Sequence, residues 1–309
     1  MSNHEMFTGS IVALVTPFKL NVVDEDALRA LVRWHIESGT NAIVPVGTTG
    51  EASTLTPEEH RRVIEVVVEE VDGAIPVIAG AGSNNTVEAI KYSLDALSVG
   101  ADGMLHAMGY YNRPNQKGIF EHFRAIDAAC DLPMIVYNVP PRTIIDILPE
   151  TMARIAALNN VVGVKDASCD LARPLQEGLL IDKTFSFLSG EDATAVAYNA
   201  QGGVGCISVT ANVAPRLCAQ MQNARAEGDF AKALSIQKLL MRLHDALFLE
   251  PSPAGVKYAC SLLGLLDAQC RLPIVALEST TKRAIESAMS LVQDAENQIG
   301  CEFQEQVLV

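Results

Sequence analysis

Apolar residues along the chain fall into short uninterrupted runs that alternate with longer amphipathic stretches. Ser10–Thr16, Asn41–Val46, Ile75–Ala79, Asp102–Ala107, Pro133–Asn138, Val161–Lys165, Phe185–Ser189 and Val204–Val209 are such runs, each bounded by turn signals. That pattern predicts strands buried on both faces. Between the runs, apolar positions recur at helical spacing, as Leu28, Leu31, Val32 and Ile36 do after Asp24. Asp24 predicts an N-cap and Gly39 a C-cap for a helix ending near Glu37. Thr56–Pro57–Glu58–Glu59 combines a capping box with proline at the first helical position, and predicts a helix to Val71. Further helices are predicted over Thr86–Ser98, Gln116–Ala129, Leu148–Ala157, Leu171–Leu179 and Ala193–Ala200, and from about Ala214. Eight strand–helix units, with strand exits roughly 20–32 residues apart, predict an α/β fold: a (β/α)8 TIM barrel. An open doubly wound sheet is the alternative, and eight regular units without a long insertion favour the barrel. Beyond Gly228 the alternation stops. Phe230–Leu249, Pro253–Leu263 and Thr280–Val292 read as helices, split by Pro251, Pro253 and Arg271–Leu272–Pro273. The predicted division is a (β/α)8 barrel over 1–228 and a C-terminal helical region over 229–309.

Composition narrows the function classes. Of 309 residues, 49% are apolar and 19% charged, enough for a large core and unlike a disordered chain. A formal net charge of −14 argues against non-specific binding to nucleic acid or to an anionic membrane surface. An anionic substrate must then be met by local cations or backbone N–H groups. The seven cysteines form no C-x-x-C, and the six histidines form no H-x-H or H-E-x-x-H. Reduced, mostly buried thiols and no metal site are expected. Met1–Gly9 lacks the basic and apolar regions of a signal peptide, and no apolar segment reaches 18 residues. A cytoplasmic protein is expected.

In a barrel the C-terminal strand ends present their side chains to one mouth. Those ends supply Thr16, Thr48 and Thr49, Gly80–Gly82, Tyr110 and Tyr111, Tyr137, Lys165, Gly190–Glu191, and Ile207–Ser208. Tyr137 and Lys165 lie one strand–helix unit apart, so they leave neighbouring strands at the same end. A lysine ending an apolar strand has two readings: a solvated strand end, or an amine in an apolar funnel that condenses with a carbonyl. Tyrosine phenols, aliphatic hydroxyls and one amine, with no histidine or carboxylate pair, suit Schiff-base chemistry. There an iminium is the electron sink and hydroxyl groups relay protons. Such a lysine must be neutral to attack, and burial disfavours its charged form. Glycines flank the two threonines of Gly47–Thr48–Thr49–Gly50–Glu51, so backbone N–H groups there can approach a carboxylate. An ordinary glycine-rich turn is the other reading of that stretch.

Five motifs stand in order along the chain: Gly47–Glu51, Tyr110–Pro114, Tyr137–Thr143, Gly163–Asp166 and Gly205–Asn212. In these the sequence resembles the dihydrodipicolinate synthase/N-acetylneuraminate lyase family of class I lyases. The resemblance covers the barrel and, more loosely, the C-terminal helices. The resemblance implies Lys165 as the Schiff-base lysine. Thr48, Tyr137 and a neighbouring subunit's Tyr111 would form the proton relay. Thr49 would hold the pyruvate carboxylate, and Ile207 would add a backbone contact. Arg142 stands where the family's synthases carry an arginine and its sialic-acid lyases usually do not. A guanidinium there can bind the carboxylate of L-aspartate 4-semialdehyde bidentately. The implied reaction condenses pyruvate with L-aspartate 4-semialdehyde to 4-hydroxy-tetrahydrodipicolinate, on the diaminopimelate route to lysine. The only bound group it needs is pyruvate, held covalently on Lys165. A homotetramer of two tight dimers is also implied.

Two departures from the family pattern stand out. Met108–Gly109 replaces a Thr-Pro before the paired tyrosines, which loosens the loop that aims Tyr111. In lysine-inhibited members the effector binds at a dimer interface, and His60, Asn84, Glu88 and Tyr110 match that site, which implies an L-lysine effector. Pro57 and Ala52, however, replace a histidine and a serine found in some of those members. Glu88 also reads as a solvated carboxylate or a capping partner of Thr86. Gly80–Ala81–Gly82–Ser83–Asn84–Asn85 partly mimics a dinucleotide fingerprint, but Asn85 stands where the third glycine belongs. Rival readings are a pyruvate-dependent aldolase acting on a 2-keto-3-deoxy sugar acid, and a barrel that binds a keto acid as a sensor.

Overall fold

The protein is described here by a computed structural model over residues 7–107 and 109–307, with the side chains of 300–307 excepted; Met108 of the Met108–Gly109 departure and most of the tail Cys301–Val309 lie outside the described residues or side chains. Eight parallel strands are present: β1 (Gly9–Ala13), β2 (Ala42–Val44), β3 (Ile78–Gly80), β4 (Gly103–Ala107), β5 (Met134–Asn138), β6 (Val161–Asp166), β7 (Ser186–Ser189) and β8 (Gly205–Ser208). They are hydrogen-bonded in the order β2–β1–β8–β7–β6–β5–β4–β3. The two ends of that order meet, because Ile43 bridges Val77 and the Gly80 amide donates to the Pro45 carbonyl at 3.0 Å. The sheet closes into the expected barrel.

A period of two lies beneath the continuous apolar runs. On β1, Ile11 and Ala13 face the bore while Val12 faces the helices. On β5, Ile135 and Tyr137 face inward while Met134 and Val136 face outward. Phe7 closes the N-terminal end of the bore, where a Cβ on Gly103 would sit 2.7 Å from its ring. The ladders are shorter than the predicted runs because apolar residues continue past them into buried loops, as Leu14, Val15 and Val46 do.

The helices that return the chain are α1 (Glu25–Glu37), α2 (Pro57–Val71), α3 (Thr86–Ser98), α4 (Gln116–Ala129), α5 (Pro149–Ala156), α6 (Arg173–Gly178), α7 (Ala195–Ala200) and α8 (Pro215–Ala226). The capping box forms as expected: Thr56 Oγ1 accepts from the Glu59 amide at 3.2 Å, and Glu59 Oε2 from the Thr56 amide at 3.0 Å. Two small elements have no clear sequence signal. They are a two-residue hairpin, Phe18–Lys19 with Val22–Val23, and a helical turn at Pro140–Thr143.

Three further helices follow, α9 (Phe230–Leu247), α10 (Ala254–Leu262) and α11 (Ser279–Val307). The last runs well past the predicted Val292. Its buried stripe continues from Ile285, Met289 and Val292 through Glu296 to Ile299, so a carboxylate occupies a core position. Glu296 is there because its two oxygens accept from the Arg216 and Leu217 amides, at 2.8 and 2.9 Å, at the start of α8.

Candidate active site

The barrel brings Lys165 and Tyr137 together through an irregularity in one ladder. Met134 pairs with Val161, but Ile135 pairs with Gly163, a slip of one residue between β5 and β6. Continued without the slip, the ladder would set Tyr137 opposite Val164. With it, Tyr137 pairs with Lys165 and both face the bore, while Val161 and Val164, three positions apart, both pack outward. Lys165 is 7% exposed, and its Nζ stands 4.2 Å from the centroid of the Tyr137 ring. Gly190 makes room for the lysine, since a Cβ there would lie 3.1 Å from Lys165 Cε and 3.0 Å from the Ala167 methyl. Next to it, burial raises the Glu191 carboxyl above its usual range, against a pull from the Lys165 charge.

The segment after β2 approaches from the opposite side of the mouth. Thr48 is exposed and Thr49 buried. Two non-glycine residues with left-handed backbone bracket them, Val46 (φ 47°) and Glu51 (φ 57°). The segment passes close beneath β3, where a Cβ on Gly80 would come within 2.3 Å of the Val46 carbonyl oxygen. Packing of strand against loop thus accounts for Gly80, and no dinucleotide site is needed to explain it. Thr16 Oγ1 donates to the Gly50 carbonyl at 2.7 Å.

Glu51 turns inward and meets Lys257 of α10, which is 0% exposed. Lys257 Nζ donates to Glu51 Oε1 at 2.7 Å and to the Thr16 carbonyl at 2.9 Å, and stands 4.2 Å from the centroid of the Phe18 ring. The Arg271 amide donates to Glu51 Oε2 at 2.8 Å. Removing one member of such a buried pair costs about 3–5 kcal/mol, because the other charge stays in the core. Sequence reasoning missed this cluster. The available signal was a single lysine inside the apolar run Ala254–Cys260, the same signal that marks Lys165.

Arg142 lies on the helical turn after β5 and is exposed; its amide donates to the Val139 carbonyl at 2.9 Å, and its guanidinium has no hydrogen bond or ion pair among the described residues. The loop behind it is held firmly. Asn138 Nδ2 donates to Asp146 Oδ1 at 2.7 Å, and Asn138 Oδ1 accepts from the Ile147 amide at 3.2 Å. Arg173 donates to Asp146 Oδ2 and to the Ile147 carbonyl. Arg173 is also close to Glu177, whose carboxyl is pushed up to about 8 by burial and by the nearby Asp166 charge. Asp166 follows Lys165 and is likewise raised by burial.

Ile207 lies in the bore on β8, paired with Ile11. The turn that follows it is anchored by Asp192, which accepts from Ser208 Oγ and from the Val209 and Thr210 amides. Tyr111 stands apart, 92% exposed with φ 68° on the loop after β4. Among the described residues no hydrogen bond joins Tyr111, Thr48 or Thr49 to Tyr137 or Lys165. The residues matched to an effector site cluster at one edge. Asn84 Nδ2 donates to the Tyr110 carbonyl at 3.2 Å, and exposed Glu88 accepts from Ser83 Oγ at 2.5 Å. Asn85, not Glu88, caps α3. His60 is buried and stacked on Tyr92 at 4.4 Å, and burial lowers its ring to about 4.

The dihydrodipicolinate synthetase family profile matches residues 6–292. The chain belongs to that family. It is 56% identical over 284 residues to the 4-hydroxy-tetrahydrodipicolinate synthase of Parvibaculum lavamentivorans, covering 92% of this chain and 98% of that one. The dihydrodipicolinate synthase of Acinetobacter baumannii, solved with pyruvate, superposes with a TM-score of 0.90 at 41% identity, covering 93% of this chain and 99% of that one. The enzyme of Cyanidioschyzon merolae, solved with lysine bound, superposes with a TM-score of 0.90 at 37% identity, covering 93% and 99%.

Proposed function

We propose that this member of the dihydrodipicolinate synthetase family condenses pyruvate with L-aspartate 4-semialdehyde to 4-hydroxy-tetrahydrodipicolinate. The observation that carries this reading is a buried lysine amine standing over a tyrosine ring at a barrel mouth, with an unpaired arginine on the adjoining loop. The Lys165 amine adds to the pyruvate ketone, and loss of water leaves an imine. A proton then leaves the methyl carbon, and the resulting enamine attacks the aldehyde carbon. The substrate's own amino group displaces Lys165 as the ring closes. Tyr137 and Thr48, with Tyr111 reaching in from a neighbouring subunit, carry protons. Thr49 and the Ile207 backbone hold pyruvate, and Arg142 binds the carboxylate of the semialdehyde.

This reading puts the chemistry in 1–228, needs no cofactor beyond the covalently held pyruvate, and places a homotetramer in the cytoplasm. His60, Asn84, Glu88 and Tyr110 would form an L-lysine effector site. Initial rates that stay flat as L-lysine rises into the millimolar range remove that part.

The test of the whole is borohydride reduction with pyruvate. A carboxyethyl group on Lys165 is expected, and none on Lys165→Ala. Turnover with the semialdehyde but not with 2-keto-3-deoxy sugar acids is expected alongside. No adduct at Lys165 leaves only a keto-acid-binding barrel, and the opposite substrate preference makes it a sugar-acid aldolase.

A further inference from the structure

We infer that Lys257 is a positioning residue for the pyruvate carboxylate: with Glu51 and Arg271 it fixes the Thr48–Thr49 segment from behind, so that the C-terminal helical region forms part of the scaffold of the active site. The inference rests on the proposed role of Thr49.

A backbone with left-handed residues at both ends persists only where its surroundings over-determine it. Here the restraints converge from outside the barrel proper. Lys257 ties the end of the segment, through Glu51, to the exit of β1, through the Thr16 carbonyl. Thr16 returns a bond to the Gly50 carbonyl. Arg271 donates its amide to the second Glu51 oxygen and its guanidinium to the Thr54 and Asn21 carbonyls and to both oxygens of Glu59. Lys257 and Arg271 both lie over the Phe18 ring, at 4.2 and 4.4 Å from its centroid. A buried ion pair is weak evidence for stability, since apolar residues of equal volume serve as well. Hydrophobic packing, however, has no directional preference, whereas these bonds fix both Glu51 oxygens and the carbonyl before Pro17. That directionality is what a backbone presenting N–H groups to a carboxylate requires.

The experiment compares Glu51→Gln/Lys257→Met, Thr49→Val and the triple variant with the parent. It measures single-turnover imine formation by borohydride quench and steady-state kcat and KM for each substrate, at a temperature where circular dichroism shows all four folded. Removing both charges together avoids leaving one buried. Misplacement of a binding group by about 1 Å costs on the order of 100-fold. A fall in pyruvate kcat/KM of about 10- to 100-fold is therefore expected, with the KM for the semialdehyde unchanged. In the Thr49→Val background the clamp variant should add little. A folded clamp variant with parental pyruvate kinetics overturns the inference. So does an equal rise in KM for both substrates, or full additivity with Thr49→Val, either of which marks general loosening. If Thr49→Val itself leaves pyruvate kinetics unchanged, the role of Thr49 fails first and the positioning inference falls with it. Should the clamp variant not fold, Thr16→Val removes only the bond to Gly50. It is expected to lower pyruvate kcat/KM several-fold, and unchanged kinetics overturn the inference.

Discussion

At Gly190, an added methyl would lie 3.1 Å from Lys165 Cε and 3.1 Å from the Asp166 carbonyl oxygen. Gly190→Ala should fold, because the strain of overpacking is about 1–3 kcal/mol, but it should turn the Lys165 amine away from its place over Tyr137. A fall of about tenfold or more in the borohydride-trapping rate is expected. Arg142 should behave differently. It is exposed and unpaired, so Arg142→Ala leaves the folded core and the pyruvate imine intact. A charge-assisted bidentate contact contributes about 1.5–3 kcal/mol. KM for the semialdehyde should therefore rise by roughly 10- to 150-fold, read from steady-state assays at saturating pyruvate. Both residues were legible as positions in the chain, and Lys165 and Tyr137 were legible as neighbours. The one-residue slip that pairs them was not, because a run of apolar residues buried on both faces hides its own phase. Nor were Lys257 and Glu51, because sequence separation conceals which buried charge answers which.

Among the elements, α11 shows most clearly how helix ends are satisfied at a distance. Its Glu296 accepts the Arg216 and Leu217 amides of α8, two groups that no residue of α8 itself could pair. Glu296→Ala should lower the free energy of unfolding by about 1–3 kcal/mol, measured by urea titration, with Glu296→Gln intermediate because one acceptor survives. Helices with their own caps were read from sequence to the residue: α2, α3 and α4 begin at Thr56, Asn85 and Asn115 caps and run to the predicted ends. The end of α11 was misread because a glutamate at a core position looks like the end of an amphipathic stripe. It is instead that stripe's most specific contact.

For the whole molecule, buried titratable groups set opposing pH limits. Burial lowers His35 and His106 to about 3 and His60 and His122 to about 4. Unfolding releases these rings to protonate at their ordinary value, so the unfolded chain binds more protons and stability is lost as pH falls below about 6.5. Glu177 works the other way. Raised to about 8, it holds a proton in the folded state that the unfolded chain has given up above about 4.5. Its contribution therefore declines as pH rises toward 8. Each group contributes a slope of about 1.4 kcal/mol per pH unit where its protonation differs fully between the two states. The four histidine slopes cancel that of Glu177 where the unfolded chain holds about one proton among its four rings, roughly half a unit above 6.5, which places the maximum set by these five groups at about pH 7. Thermal melts across pH 4–9 should show it, and Glu177→Gln should remove the decline toward pH 8 and steepen the rise between about pH 5 and 7.

Lys257 also bears on the order in which the protein is made. A ribosome delivers Thr16 and Glu51 early and their partner more than 200 residues later, after β8 has emerged to close the ring against β1. Until then the threonine segment is held only by its neighbouring strands, without the bonds that Lys257 makes to Glu51 and to the Thr16 carbonyl. On the positioning role inferred for Lys257, activity belongs to the finished chain, and a ribosome that stalls after the eighth strand releases a barrel still waiting for its last third.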